Sequence, residues 1–353
     1  MSNRGAEIEA RVAEAAHSGA ALYIVGGDTK RHLAGRDCDG DSLSIAGHNG
    51  VVDYQPGELV LTARAGTPLT QLQATLAAQG QCLPFEPPAF DGRATLGGTL
   101  ACNLNGPGRP WRGSIRDAVL GVTLVNGKGE TLRFGGSVMK NVAGYDISRL
   151  QAGALGTLGV ILEVSLKVLP LPELSVTLQR EMGIEEAIAT MNRRATEPKP
   201  LSGAAWIDGE LYVRLSGAES AVRHTAQLWG GDQVTAGATP WDALKDMQLP
   251  FFEGDAPLWR LSMNASSPAT DSFGAMLVDW GGAQRWVRGD PHVESLQRYA
   301  GHAGGHATLF RGGDRGGEVR SPLSAVEQRL QKRLKQSFDP AGVLNPGRLY
   351  SWM

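Results

Sequence analysis

Glycine, placed in short charged motifs, constrains this chain more than any other feature. Of 353 residues, 47 are glycine, and several fall in Gly26-Gly27-Asp28-Thr29-Lys30, Ala94-Thr95-Leu96-Gly97-Gly98 and Gly113-Ser114-Ile115-Arg116-Asp117. The first motif follows Ala21-Leu22-Tyr23-Ile24-Val25, an apolar run of strand length. Each glycine pair is expected where a strand ends, so that the backbone can take positive φ and approach a phosphate or a planar ring with no Cβ in the way. Neither G-x-G-x-x-G after the first strand nor G-x-x-x-x-G-K-[ST] is present, so the common dinucleotide and P-loop fingerprints do not account for these loops. Gly153, Gly156 and Gly159 recur at even spacing but lead into a strand rather than opening a helix.

Composition narrows the class. With 42% hydrophobic and 20% charged residues, a chain of this length can bury a core and divide into roughly two domains. A net charge of −2 and the lack of long basic runs argue against a nucleic-acid partner. No apolar stretch approaches the roughly 20 residues of a membrane-spanning helix, and Glu7, Glu9, Arg11 and Glu14 interrupt any signal-peptide core. Cys38, Cys82 and Cys102 lie far apart in no C-x-x-C pattern. They fit a reducing cytoplasm and cannot by themselves hold a four-thiolate iron–sulfur cluster.

Residues 6–18 carry Ile8, Val12 and Ala15 at helical spacing, with Gly19 as the stop. Leu59 to Ala63 reads as a strand, and Thr67-Pro68 as the cap and first turn of a helix burying Leu69, Leu72 and Leu76. Val119–Val125 and Glu130–Phe134 read as a hairpin around Asn126-Gly127, and Val160 to Val168 as a long strand. Leu169-Pro170-Leu171-Pro172 then stops the sheet and marks a domain boundary. Beyond it come helices near 184–193 and 218–229, hairpin turns at Asp208-Gly209 and Gly281-Gly282, and strands near 258–263 and 275–280. Ser321-Pro322 is expected to open a last helix with Leu323, Val326, Leu330 and Leu334 on one apolar stripe. Asn345-Pro346-Gly347-Arg348 is a turn that brings the tail back. Trp229, Trp241, Trp259, Trp280 and Trp286 fall in the second half, divided between core burial and an exposed docking surface.

Taken singly, the motifs admit ordinary readings: Gly26-Gly27 a tight turn, Gly97-Gly98 a helix end, Arg116-Asp117 a solvated ion pair, Lys30 a surface lysine. Together, with Trp111-Arg112-Gly113-Ser114-Ile115-Arg116-Asp117, Val138-Met139-Lys140-Asn141-Val142-Ala143-Gly144-Tyr145-Asp146, Asp279-Trp280-Gly281-Gly282, Gly304-Gly305-His306-Ala307 and Asn345-Pro346-Gly347-Arg348, they resemble the FAD-binding (PCMH-type) domain of the vanillyl-alcohol-oxidase superfamily. Within it, the resemblance is to the FAD-binding subunits of glycolate oxidase, over nearly the whole chain.

The resemblance implies an α+β fold: a PCMH-type two-subdomain FAD-binding domain over 1–172, followed by a smaller α+β cap domain over 173–335. A C-terminal segment, 336–353, returns toward the first. It assigns the FAD pyrophosphate to Gly26, Gly27, Asp28, Thr29 and Lys30, with Lys30 as counter-ion. Thr95, Gly97 and Gly98 would form the opposite wall, with Glu86 and Pro87 entering before them. Gly113, Arg116 and Asp117 would contact the cofactor from the next loop, and Gly156, Gly159, Val160 and Ile161 from another. Non-covalent FAD is implied, because many covalent relatives place a histidine where this chain has Asp28.

Partners implied are a second flavoprotein subunit and an iron–sulfur subunit of the same complex, with a small 2-hydroxy acid as substrate. The setting implied is cytoplasmic, peripheral to the cytoplasmic membrane through those partners. Two other readings stand beside this one: a self-sufficient FAD-dependent dehydrogenase of the D-lactate type, and a scaffold subunit without cofactor. For catalysis, Arg109, Arg112 and Lys140 are candidate carboxylate clamps, and His302 and His306 candidate bases. The metal motif H-x-G-D-x-N-x-H of related 2-hydroxy-acid dehydrogenases is lacking, and Gly304-Gly305 between the two histidines disfavours a helical metal pair. No metal site is expected. Lys140, Asn141 and Tyr145 admit a structural role in ordering their loop as readily as a substrate role.

Overall fold

A computed structural model of the protein describes residues 2–136 and 146–353. Lys140, Asn141 and Tyr145 lie outside the described residues. The chain forms two compact units, one made of 1–104, 114–170 and 315–353, the other of 105–113 and 171–314. The changeovers therefore fall at 104, 113, 170 and 314, where the sequence boundaries stood at 172 and 335.

The first unit begins with α1 (Gly5–Ser18), which buries Ile8, Val12 and Ala15 and ends at Gly19, left-handed at φ 72°. Strand β1 (Leu22–Val25) pairs in parallel with β2 (Asp41–Ser44). Beside them lies a five-stranded antiparallel sheet of β3 (Val51–Gln55), β4 (Val60–Arg64), β5 (Val119–Val125), β6 (Thr131–Gly135) and β7 (Val160–Lys167), in the order β3-β4-β7-β5-β6. Strand β7 is central and buries Val160, Val164 and Leu166. Helix α2 (Leu69–Ala77) fully buries Leu69, Leu72 and Leu76, about 1.5–3 kcal/mol for each side chain. Replacing Leu72 with aspartate would strand a charge in that core.

Three local expectations are corrected. Pro68, not Thr67, is the N-cap of α2; the Thr67 hydroxyl instead donates to the Arg64 carbonyl at 2.7 Å and accepts from the Gly50 amide at 2.9 Å. Asn126-Gly127 is not a two-residue hairpin turn. The Asn126 side-chain oxygen accepts from the Lys128 and Glu130 amides, and Gly129 takes the left-handed conformation, giving a longer loop. Gly97-Gly98 lies inside the first turn of α3 (Leu96–Cys102) rather than at a strand end.

The second unit is built on an eight-stranded antiparallel sheet. Its strands are β8 (Leu174–Glu181), β9 (Leu201–Ile207), β10 (Glu210–Gly217), β11 (Asp232–Val234), β12 (Leu258–Ser262), β13 (Ala275–Asp279), β14 (Gln284–Arg288) and β15 (His306–Arg311). They lie in the order β11-β8-β10-β9-β13-β14-β12-β15. Helices α4 (Ile184–Ala195) and α5 (Glu219–Trp229) pack on β9 and on β8 and β10, and α6 (Val293–His302) packs on β15. Phe252, Trp286 and Phe310 meet edge to face at 5.6 and 5.0 Å. Trp229, Trp241, Trp259, Trp280 and Trp286 are all buried, so none of these five forms an exposed docking surface.

The chain then re-enters the first unit through α7 (Ala325–Phe338), which is opened by a Ser324–Glu327 capping box rather than by Ser321-Pro322. Leu323 and Leu334 pack inward, but Val326 and Leu330 are 56% and 53% exposed, so the expected single stripe is split. Among the described residues no helix is long and apolar enough to cross a membrane.

Candidate functional site

Strand β1 ends in a cleft of about 680 Å³, open to solvent and lined wholly by the first unit. One wall is Gly26 to Arg31. Among the described residues, the backbone N–H groups from Gly26 through Lys30 donate to no other protein group. Consecutive amides left available in a loop form a concave anion cradle. Asp28 sits at φ 53°, a left-handed conformation that aspartate tolerates better than most residues. Its carboxylate is engaged by Arg31 at 2.9 Å, and the Arg31 guanidinium lies 4.3 Å from the centre of the Tyr23 ring.

Lys30 is 8% exposed. Its ammonium meets the Thr29 hydroxyl at 3.2 Å and the Phe90 ring face at 5.2 Å, and among the described residues no carboxylate reaches it. Burial pushes its pKa below the ordinary lysine range, with nearby Cys102 acting in the opposite direction. A buried cation without a counter-ion is costly unless an anion joins it.

The opposite wall comes from α3. Thr95 caps it, its hydroxyl accepting from the Gly98 amide at 3.3 Å, while the Leu96 and Gly97 amides donate to Thr67 and Ala65. The first-turn amides of α3 are thus already engaged, and this wall offers shape rather than hydrogen bonds. None of Gly26, Gly27, Gly97 and Gly98 has positive φ, which corrects the expected reason for these glycines. Space decides instead: a Cβ at Gly27 would overlap the Arg93 carbonyl, one at Gly26 the Thr95 hydroxyl, and one at Gly97 would stand 2.6 Å from the Ala65 Cβ.

The floor is formed by Leu155, Gly156, Gly159 and Ile161, with Asn345 and Arg348 arriving from the far end of the chain. The Asn345 side chain accepts from the Ile24 amide at 2.7 Å and donates to the Leu155 carbonyl at 2.6 Å. Leu155 and Asn345 themselves hold left-handed conformations, φ 52° and 41°; strained backbone of this kind persists where surrounding contacts enforce it. Arg348 donates to the Lys30 carbonyl at 2.9 Å and to those of Arg31 and Arg36. The whole 30–36 loop is gripped by guanidinium groups, Arg320 donating to Ala34 and Arg315 to Gly35.

The cleft therefore gathers Gly26, Gly27, Asp28, Thr29, Lys30, Thr95, Gly97, Gly98, Gly156, Gly159 and Ile161. Six other assigned residues do not line it. Glu86 is left-handed at φ 46° and Pro87 is buried. Val160 is fully buried in β7. Gly113 ends the 105–113 segment of the second unit at φ 89°. Arg116 is exposed, and the Asp117 carboxylate accepts from the amide and hydroxyl of Ser114 in a capping box. Sequence reasoning missed Asn345 and Arg348 as site residues, although Asn345-Pro346-Gly347-Arg348 was the available signal.

Of the catalytic candidates, Arg109, Arg112, His302 and His306 lie in the second unit, and Lys140 lies outside the described residues. Arg112 ends a short helix, and the Arg109 guanidinium covers the Trp280 ring at 4.6 Å. His302 ends α6 and His306 begins β15, both exposed and separated by Gly304 at φ 69°. No metal-binding group of three or more His, Cys, Asp or Glu occurs among the described residues.

An amide cradle with a buried lysine suits a diphosphate, and the adjoining apolar side chains of Ile24, Val25, Ile45, Ala101 and Ile161 suit a flat ring, so the residues present fit FAD. Known proteins agree with this geometry. The family model for the FAD binding domain matches residues 4–135. A solved structure of alkyldihydroxyacetonephosphate synthase superposes with a TM-score of 0.68 over 96% of this chain and 74% of that one, at 16% identity, which shows the fold. Bacillus subtilis glycolate oxidase subunit GlcD is 31% identical over 42% of this chain and 32% of its own length. D-lactate dehydrogenase of Anaerostipes hadrus is 33% identical over 49% and 35%. Escherichia coli glycolate oxidase subunit GlcE is 48% identical across 330 residues, 94% of this chain and 93% of that protein. Full-length similarity at that level, on a chain with an FAD-binding domain, shows that this protein belongs to the family of the glycolate oxidase subunit GlcE.

Proposed function

We propose that this chain is the FAD-binding subunit of a glycolate oxidase complex, oxidising glycolate to glyoxylate together with a second flavoprotein subunit and an iron–sulfur subunit. The observation that carries the cofactor half of this reading is the run of amides from Gly26 to Lys30, uncommitted among the described residues, beside a buried ammonium that no described carboxylate reaches. Bound flavin supplies a hydride acceptor that can release electrons singly. The chain's own groups do the rest: the cradle and Lys30 hold the diphosphate, Gly97 and Gly98 let the backbone lie close, and Asn345 fixes the floor. Binding is non-covalent on this reading, since Asp28 stands where many covalent relatives carry a histidine.

The partnership follows from similarity to a protein that is named a subunit, and from thiol chemistry. Cys38, Cys82 and Cys102 form no disulfide and are scattered along the chain, so a cluster carrying electrons onward belongs to another chain. Association with the cytoplasmic face of a membrane is through those partners.

The test is an absorption spectrum of the purified chain, followed by anaerobic glycolate or D-lactate, alone and with the other subunits. The expected outcome is a flavin spectrum that glycolate bleaches only in the assembled complex. Bleaching of the isolated chain would make it a self-sufficient dehydrogenase, and no flavin after reconstitution would make it a scaffold.

A further inference from the structure

Helix α7 is half committed. Its inner face is fixed by Leu334 and Phe338 in a small apolar cluster and by the buried Lys335–Asp339 pair at 2.7 Å. Its outer face has no such use. Val326 and Leu330, one helical turn apart, are two of the five large hydrophobic side chains most exposed among the described residues. Next to them stand Arg329 and Arg333, exposed and, among the described residues, without an ion-pair partner, and Lys332, whose ammonium lies 5.3 Å from the centre of the Trp352 ring. The sole acids of this helix and its end are spent elsewhere: Glu327 in the capping box and Asp339 on Lys335 and the amides of Val343 and Leu344. The face is therefore an apolar pair bordered by three cations, and its neighbouring carboxylate, Glu327, is tied into the capping box.

We infer that the outer face of α7 docks onto a protein subunit of the same complex, one that presents carboxylates around an apolar depression. This rests on the reading of the chain as one subunit of several. Two other occupants fit less well. A second copy meeting this face across a two-fold axis would set Arg329 and Arg333 against their equivalents, like charge on like. A lipid surface needs a broad apolar face, and even one myristoyl chain anchors only marginally, with an association constant of about 10⁴ M⁻¹; two half-exposed aliphatic side chains offer far less. A protein partner uses such a face well, because two apolar anchors supply contact while unpaired arginines supply orientation.

The experiment uses the full chain co-expressed with the second flavoprotein and iron–sulfur subunits. It compares wild type with Val326→Asp/Leu330→Asp and with Arg329→Glu/Arg333→Glu, by co-purification and by affinity for the purified partners. Each pair of substitutions is expected to weaken association at least about tenfold, while FAD content and melting temperature of the isolated chain stay at wild-type values. Undiminished assembly by both variants overturns the inference. So does a loss confined to binding of phosphatidylserine vesicles, or to self-association in sedimentation. A wild-type chain that fails to assemble removes the complex reading and this inference with it, whereas wild-type assembly matched by both variants removes the inference alone.

Discussion

At Lys30 the protein holds a cation where water is scarce and no acid among the described residues answers it. Because burial lowers its pKa, the unfolded chain binds the proton more tightly, and cofactor-free protein gains stability as pH rises from the lowered value toward the ordinary lysine range. A diphosphate beside the ammonium raises that pKa again. FAD binding then takes up a proton, so affinity is level below the lowered value and declines as pH climbs through the window above it. Lys30→Met is expected to weaken FAD by roughly 1.5–3 kcal/mol, the size of a charge-assisted hydrogen bond, and to abolish this decline; fluorescence titration across pH reads both. Gly27→Val is expected to lower FAD occupancy and also to destabilise the fold by about 1–3 kcal/mol, since its Cβ would meet backbone at Arg93 that cannot swing aside. Denaturant melts and flavin content together check it. The glycine pair was legible in the sequence because strand followed by glycines is a local pattern. The reason for Gly27 was not, because Arg93 is brought there only by the fold.

Among the elements, α7 with the tail behind it combines the readable and the unreadable. Its existence followed from helical spacing, but its opening at Ser324 and the outward turn of Val326 and Leu330 depended on the cap and on which face the first unit would cover. Asp339 accepts from Lys335, Val343 and Leu344 at once, and the tail then runs beside β1, with Leu22 donating to Val343 and Asn345 to Leu22 at 2.8 and 3.0 Å. Burial lowers the pKa of Lys335 while Asp339 opposes the shift. Asp339→Ala is expected to cost about 3–5 kcal/mol, as removal of one partner from a buried pair does. It should also reduce flavin retention, because Asn345 is placed by the same stretch. Thermal melts and the flavin-to-protein ratio test this, and a destabilised variant that keeps full flavin would separate the tail from the cleft.

On the scale of the molecule, the cleft depends on groups that sequence distance hides. Strands, helices and the glycine loop are near-neighbour patterns, but the hydrogen bond from the Ile24 amide to Asn345 spans 321 positions, and no periodicity reports such a pairing. Ribosomes deliver the two partners at opposite ends of synthesis. Nearly all of the chain has been made before Asn345 and Arg348 are joined to it, so their part of the cleft floor is the last to be supplied. A cleft lined from both ends of the chain is complete only once residue 348 has been made.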